Sequence, residues 1–207
     1  ELDEARAEEA RQRITKLAKG SFFGSSISHE VFHFLFLNPP YLTIKSDIGA
    51  NTRSDKKFLV ETLYHLMIGG LLVYVIPFYR LTPDIARILA DNFADIEMYR
   101  FTADEFKKFK QIAVFGKRIT KRNGLEYVKD LLEKADNINS MPEITAIESG
   151  RYSLPAVERE VKIFKGSVFD KKELEEQLSK SNLIDKLFQE NELDYKEKRP
   201  LLPFTIG

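Results

Sequence analysis

The sequence contains no cysteine, which excludes disulfides and thiolate metal sites and makes a cytoplasmic location the default expectation. It has no excess of either charge: Lys+Arg 32 balances Asp+Glu 32, so overall basicity gives no argument for a nucleic-acid partner. Long hydrophobic runs are also missing. The apolar stretches at residues 31–37 and 71–76 are far too short to cross a bilayer, so no membrane partner is expected. The front of the chain lacks the charged, apolar and small-residue succession of a secretory leader. The three histidines, His29, His33 and His65, fit no metal-ligand spacing, and no metal is expected. There is no internal repeat and no low-complexity tract.

What is present is an ordinary globular composition, 43% hydrophobic and 31% charged over 207 residues, enough for one well-filled domain with or without a small appendage. An amphipathic helix opens the chain, with Asp3 as N-cap, a thin stripe of Leu2, Ala10, Ile14 and Leu17, and Gly20 as its stop. Residues 31–37 (VFHFLFL) form a nearly continuous β-branched and aromatic run, which predicts a strand buried on both faces. A polar stretch over 44–55 predicts a mobile loop. Helical spacing over 58–67 ends at Gly69-Gly70, and residues 71–76 (LLVYVI) predict a second buried strand ended by Pro77. A helix over 83–93 and strands over 95–100 and 110–115 follow.

This alternation predicts an α/β fold with a mostly parallel sheet in a three-layer sandwich. Beyond Gly116 the rhythm changes to a helix over 125–135, an irregular stretch, an extended piece within 160–169, a charged helix or helix pair over 171–190 and a tail with Pro200 and Pro203. The expected division is a catalytic region over 1–118 and a small α+β extension over 119–207 that takes part in substrate recognition.

The chemistry centres on Asn38-Pro39-Pro40-Tyr41, at the carboxyl end of the first buried strand. Ligands of open α/β sheets bind at that edge. An exocyclic amino group is planar and a poor nucleophile, because its lone pair is delocalised into the ring. Two acceptors aimed at its hydrogens bias the nitrogen toward tetrahedral geometry and stabilise the positive charge that develops during alkylation. The Asn38 side-chain oxygen can be one acceptor. The Pro39 carbonyl can be the other, held because two successive prolines fix the backbone. Tyr41 offers a face for a base to stack on. No charged general base is required. Downstream, Lys107, Lys108, Lys110, Lys117, Arg118, Lys121 and Arg122 form a basic run without an acid among them, able to track phosphates if it lies beside the pocket.

On these residues the chain resembles the N6-adenine-specific DNA methyltransferases in which the cofactor region precedes the catalytic motif. The likeness covers about residues 1–118. Besides the Asn38–Tyr41 motif it rests on Gly69-Gly70 with the strand that ends at Pro77, and on the pattern from Phe106 to Phe115. It implies a Rossmann-like class I methyltransferase sandwich, incomplete at the N-terminus, with S-adenosylmethionine as cofactor and nucleic acid, first of all DNA, as partner. By the same resemblance Glu1 binds the ribose hydroxyls, Leu2 packs against the cofactor's adenine, and Phe22 walls it. Ser21 stands where the family usually has an aspartate, which weakens that contact to the adenine amino group and leaves Ser21 among the cofactor-binding residues the resemblance implies. The glycine-rich cofactor loop of the family is not found in this chain. Phe106, with Phe109 next, corresponds to the aromatic that packs against a flipped base, with Lys107, Lys108 and Lys110 beside it. The same tetrapeptide also occurs in enzymes that methylate RNA bases or a glutamine amide of a release factor. A third possibility is a methyltransferase-like module that binds DNA or a partner subunit without catalysis. Oligomeric state is not legible.

Overall fold

The computed structural model describes residues 1, 3–40, 43–45, 51–120, 124–156 and 159–167. In chain order these form α1 (Glu4–Arg11), β1 (Ser26–Ile27), β2 (Phe32–Leu37), β3 (Thr43–Lys45), β4 (Asn51–Arg53), α2 (Ser54–Leu63), β5 (Leu66–Pro77), α3 (Pro83–Asn92), β6 (Phe93–Arg100), α4 (Ala103–Phe109), β7 (Gln111–Arg118), α5 (Leu125–Asp136) and β8 (Phe164–Lys165). Leu2, Tyr41, Lys121 and Arg122 lie outside the described residues, as do the expected helix over 171–190 and the proline-containing tail.

The central sheet has the order β2-β5-β7-β6. β2 pairs parallel with β5, while β7 runs antiparallel to both of its neighbours, β5 and β6. Three strands therefore point one way and one is reversed. The crossover through α2 places β5 directly beside β2. The crossover through α3 skips one position, and β7 fills that slot from the opposite direction. This is a Rossmann-like α/β arrangement in which the sheet is mixed.

One sheet face carries Leu72, Tyr74, Ile76, Met98, Ile112 and Val114 and is covered by Leu59 and Leu63 of α2, Ile85 and Leu89 of α3, and Val128 and Leu131 of α5. These helices present their apolar sides at helical spacing and bury them here. The opposite face, with Leu71, Val73, Tyr99, Ala113 and Phe115, is covered by Phe101, Ile144, Ile147 and Tyr152. The third layer is thus an irregular segment rather than a helix. Packing runs across the boundary expected at 118/119, because α5 and the 144–152 segment complete both cores.

Several local expectations are corrected. α1 has its Asp3 cap, whose Oδ1 accepts from the Arg6 N–H at 2.8 Å, but it ends at Arg11. Only Ala7 is buried in it and Ile14 is 48% exposed, so the longer stripe does not form. β2 is the edge strand of the described sheet. Its even-numbered face is open, with Phe34 46% and Phe36 60% exposed, so the run of apolar residues is not buried on both faces. The stretch expected as a loop contains the β3–β4 hairpin, pairing Thr43 with Arg53 and Lys45 with Asn51, and then the buried first turn of α2. The glycines taken as a helix stop lie inside β5. Gly69 has φ +81 there, and between Phe32↔Leu66 and Phe34↔Leu71 the register shifts, so its conformational freedom serves a bulge. Between β6 and β7 stands a helix, α4, closed by Lys110 in the left-handed region at φ 52.

Candidate functional site

β2 and β5 are in parallel register, Leu37 opposite Tyr74, so both chains leave the sheet at one edge. Asn38-Pro39-Pro40 leaves β2 there. Pro77 and the 3₁₀ turn Phe78–Arg80 leave β5, and α4 follows the end of β6 at the same edge. Asn38 and Pro40 are exposed while Pro39 is buried. Among the described residues nothing donates to the Pro39 carbonyl. The motif is tied at its base: the Ser54 hydroxyl donates to the Pro40 carbonyl, and Ser54 is fully buried at the start of α2. The next residue, Asp55, is 1% exposed; its main-chain carbonyl accepts from the Tyr74 hydroxyl at 3.2 Å. Asp55 Oδ2 lies 2.8 Å from Nε of Arg80, which is 6% exposed. The two atoms meet at ion-pair distance without the alignment of a directed hydrogen bond, so their attraction is chiefly coulombic. Arg80 Nη2 is buried with no hydrogen-bond partner among the described residues. Sequence reasoning overlooked Ser54 and Asp55, because residues 44–55 read as a polar loop, and with them the role of Arg80, whose partner lies there.

Of the residues expected to meet the substrate, Phe106 is half-buried. Its ring lies 6.0 Å from that of Phe78 and packs against the main core. Phe109 is the open aromatic of α4, 57% exposed. Lys107, Lys108 and Lys110 are exposed beside it, with Lys108 4.0 Å from Glu105, and the Lys110 carbonyl accepts from the Phe78 N–H at 2.9 Å. The basic run does not form one patch. β7 carries Lys117 and Arg118 to the other end of the sheet, roughly 23 Å away at about 3.3 Å per residue. Arg118 is engaged there, 3.2 Å from Glu30 and donating to the Leu66 carbonyl.

On the side assigned to the cofactor, Glu1 and Ser21 come together. The Gly20 N–H donates to the Glu1 carbonyl at 2.9 Å, and the Glu1 carboxylate accepts from the Asp3 N–H at 3.1 Å. Ser21 caps the short turn Phe22–Gly24, its carbonyl accepting from the Ser25 hydroxyl at 3.0 Å. The Phe22 ring stacks on Phe58 at 5.6 Å and meets His65 edge-on at 5.9 Å. Burial holds the His65 imidazole below its usual pKa, against the hydrogen bond to the Ser28 carbonyl. Phe22, Phe34, Phe36, His65 and Phe164 bound a mainly apolar cavity of about 260 Å³ around the open edge of β2. It suits a flat aromatic ring and is below the 300–1,000 Å³ typical of a whole cofactor-sized ligand. The structure therefore brings Glu1, Ser21 and Phe22 to one region and the Asn38 motif, Phe106, Phe109 and the three lysines to the carboxyl edge.

Among the described residues no group of three or more His, Asp or Glu could hold a metal ion, and no helix is long and apolar enough to cross a membrane. The model of an uncharacterised methyltransferase family (DUF6094) matches residues 1–157. No curated protein and no solved structure matches the chain.

Proposed function

The chain belongs to this methyltransferase family, and on that footing we propose that it moves a methyl group from S-adenosylmethionine to an exocyclic amino nitrogen, adenine N6 in DNA first among the acceptors. The observation that carries this reading is the exit of β2: an exposed Asn38 and a buried Pro39 at the carboxyl edge, with Pro40 fastened by the Ser54 hydroxyl. S-adenosylmethionine supplies an electrophilic methyl carbon on a sulfonium, so a neutral nitrogen suffices as nucleophile. The Asn38 side-chain oxygen and the Pro39 carbonyl accept the two amino hydrogens. The nitrogen lone pair forms the new N–C bond as the S–C bond breaks, and the excess proton leaves to water. Both acceptors act on charge that grows in the transition state, which is where binding lowers a barrier.

Phe22 with the open face of β2 forms the wall for the cofactor's adenine, and Glu1 is the ribose ligand. The small cavity fits the ring end of the cofactor alone. Phe109, Lys107, Lys108 and Lys110 lie at the acceptor end and suit a nucleic-acid strand, with Phe106 as support beneath them. Tyr41 is the stacking residue of the motif. The division of the basic run leaves a small cationic surface, which keeps a planar glutamine amide as the second acceptor.

Asn38→Ala in the full-length protein removes one acceptor without touching the cofactor wall. Methyl transfer is expected to be abolished and S-adenosylmethionine affinity by calorimetry to be nearly unchanged. A variant that keeps most of its rate refutes the assignment. A full-length protein that binds no S-adenosylmethionine refutes the enzyme altogether and leaves a binding module.

A further inference from the structure

The turn after β5 presents an aromatic side chain that the site described above does not use. Tyr79 is 63% exposed, and among the described residues its hydroxyl has no partner. Its two neighbours are each fixed to a different element. Phe78 rests against Phe106 and donates its N–H to the Lys110 carbonyl, while Arg80 is sunk into the ion pair with Asp55. The 3₁₀ turn Phe78–Arg80 is therefore clamped at both ends, and the residue between them can only project outward. The Phe78 and Tyr79 rings meet near-perpendicular at 5.7 Å, an arrangement that leaves at least one face of the exposed Tyr79 ring open.

The turn is joined to α4 through Phe78, which meets the Phe106 ring and the Lys110 carbonyl, and α4 with its cap carries the exposed side chains of Phe109, Lys107, Lys108 and Lys110. The acids in the first turns of the flanking helices are Asp104 and Glu105 of α4 and Asp84 of α3, which Lys56 holds at 2.6 Å. Rigid aromatic faces beside flexible cations suit an unpaired nucleic-acid strand, whose bases stack while its phosphates meet ammonium groups.

The clamp is shared with the Asn38 motif. Ser54 holds the Pro40 carbonyl and Asp55, the very next residue, holds Arg80. The first turn of α2 thus fixes both strand exits to one anchor and sets the spacing between Asn38 and Tyr79. We propose that Tyr79 is a substrate-binding residue, the face on which a base next to the target stacks, with Lys107, Lys108 and Lys110 on the phosphates of the same strand. This rests on the nucleic-acid acceptor proposed above.

The test is equilibrium binding of a single-stranded oligonucleotide containing 2-aminopurine, followed by anisotropy and by quenching of the probe, with the full-length protein. Wild type is expected to bind and quench. Tyr79→Ala is expected to lose affinity by on the order of tenfold or more, with less quenching and an unchanged melting temperature, and Tyr79→Phe is expected to restore both readouts. Wild-type binding with an equally tight Tyr79→Ala overturns the role of Tyr79 and leaves the nucleic-acid acceptor standing. Failure of the wild type to bind the oligonucleotide at low salt overturns that acceptor and the role of Tyr79 together.

Discussion

Asp55 and Arg80 are charges held almost entirely out of water, each compensated by the other. A buried pair of this kind adds little net stability, because desolvation offsets the attraction, but removing one partner strands the other. Asp55→Ala is therefore expected to destabilise the fold by about 3–5 kcal/mol, read from the midpoint of urea unfolding. A loss below about 1 kcal/mol, the size of an exposed pair, would show that Arg80 finds water instead. The same residue shows the limit of the sequence. The place of Asn38-Pro39-Pro40 at a strand exit is legible, because successive prolines end a ladder right after the apolar run. Asp55 is not, because its meaning comes from an arginine on another element and its neighbours are polar.

At the scale of elements, the strands and most helices follow from pattern. The helices over 83–93 and 125–135 are found almost as read, since their apolar spacing is regular and Pro83 marks a start. The start of β5 does not follow from pattern, because Gly69-Gly70 satisfies both a helix stop and a strand bulge, and only pairing with β2 decides between them. The irregular third layer was not legible either. It is held to β6 by Glu97, whose carboxylate takes hydrogen bonds from Arg151, at 3.2 Å from Nε, and from the Tyr152 and Tyr99 hydroxyls.

The Arg151 hydrogen bonds hold the Glu97 carboxyl down at about 2, against partial burial and with help from the two tyrosines. A carboxyl lowered in the folded state stabilises the fold above its ordinary value near 4.5, and that contribution is lost as pH falls from there toward 2. Glu97→Gln is expected to be less stable near neutral pH and to lose less stability between pH 4.5 and 2, measured by circular dichroism along an acid titration. Parallel acid curves for the two proteins would show that the contact does not couple the third layer to the sheet.

For the whole molecule, alternation of strand and helix was enough to reach the α/β class, and the matched family agrees with it. The reversed direction of β7 was not readable, because a short apolar strand looks the same in either orientation. The basic run misled for a related reason. Basic residues close in sequence separate in space once β7 carries Lys117 and Arg118 away from Lys107, Lys108 and Lys110, and Arg118 becomes a structural ion-pair partner. What remains at the carboxyl edge is an exposed asparagine, exposed aromatic side chains and three lysines, with two strand exits that share one anchor.

The most direct test of amino-group transfer is the identity of the product. Full-length protein incubated with methyl-labelled S-adenosylmethionine and adenine-containing duplex DNA is digested to nucleosides and resolved by mass spectrometry. The account predicts label in N6-methyladenine, absent with Asn38→Ala. Label on a ring carbon or an oxygen, or donor bound by the protein with no methyl reaching any amino or amide nitrogen of nucleic acid or protein, would contradict it.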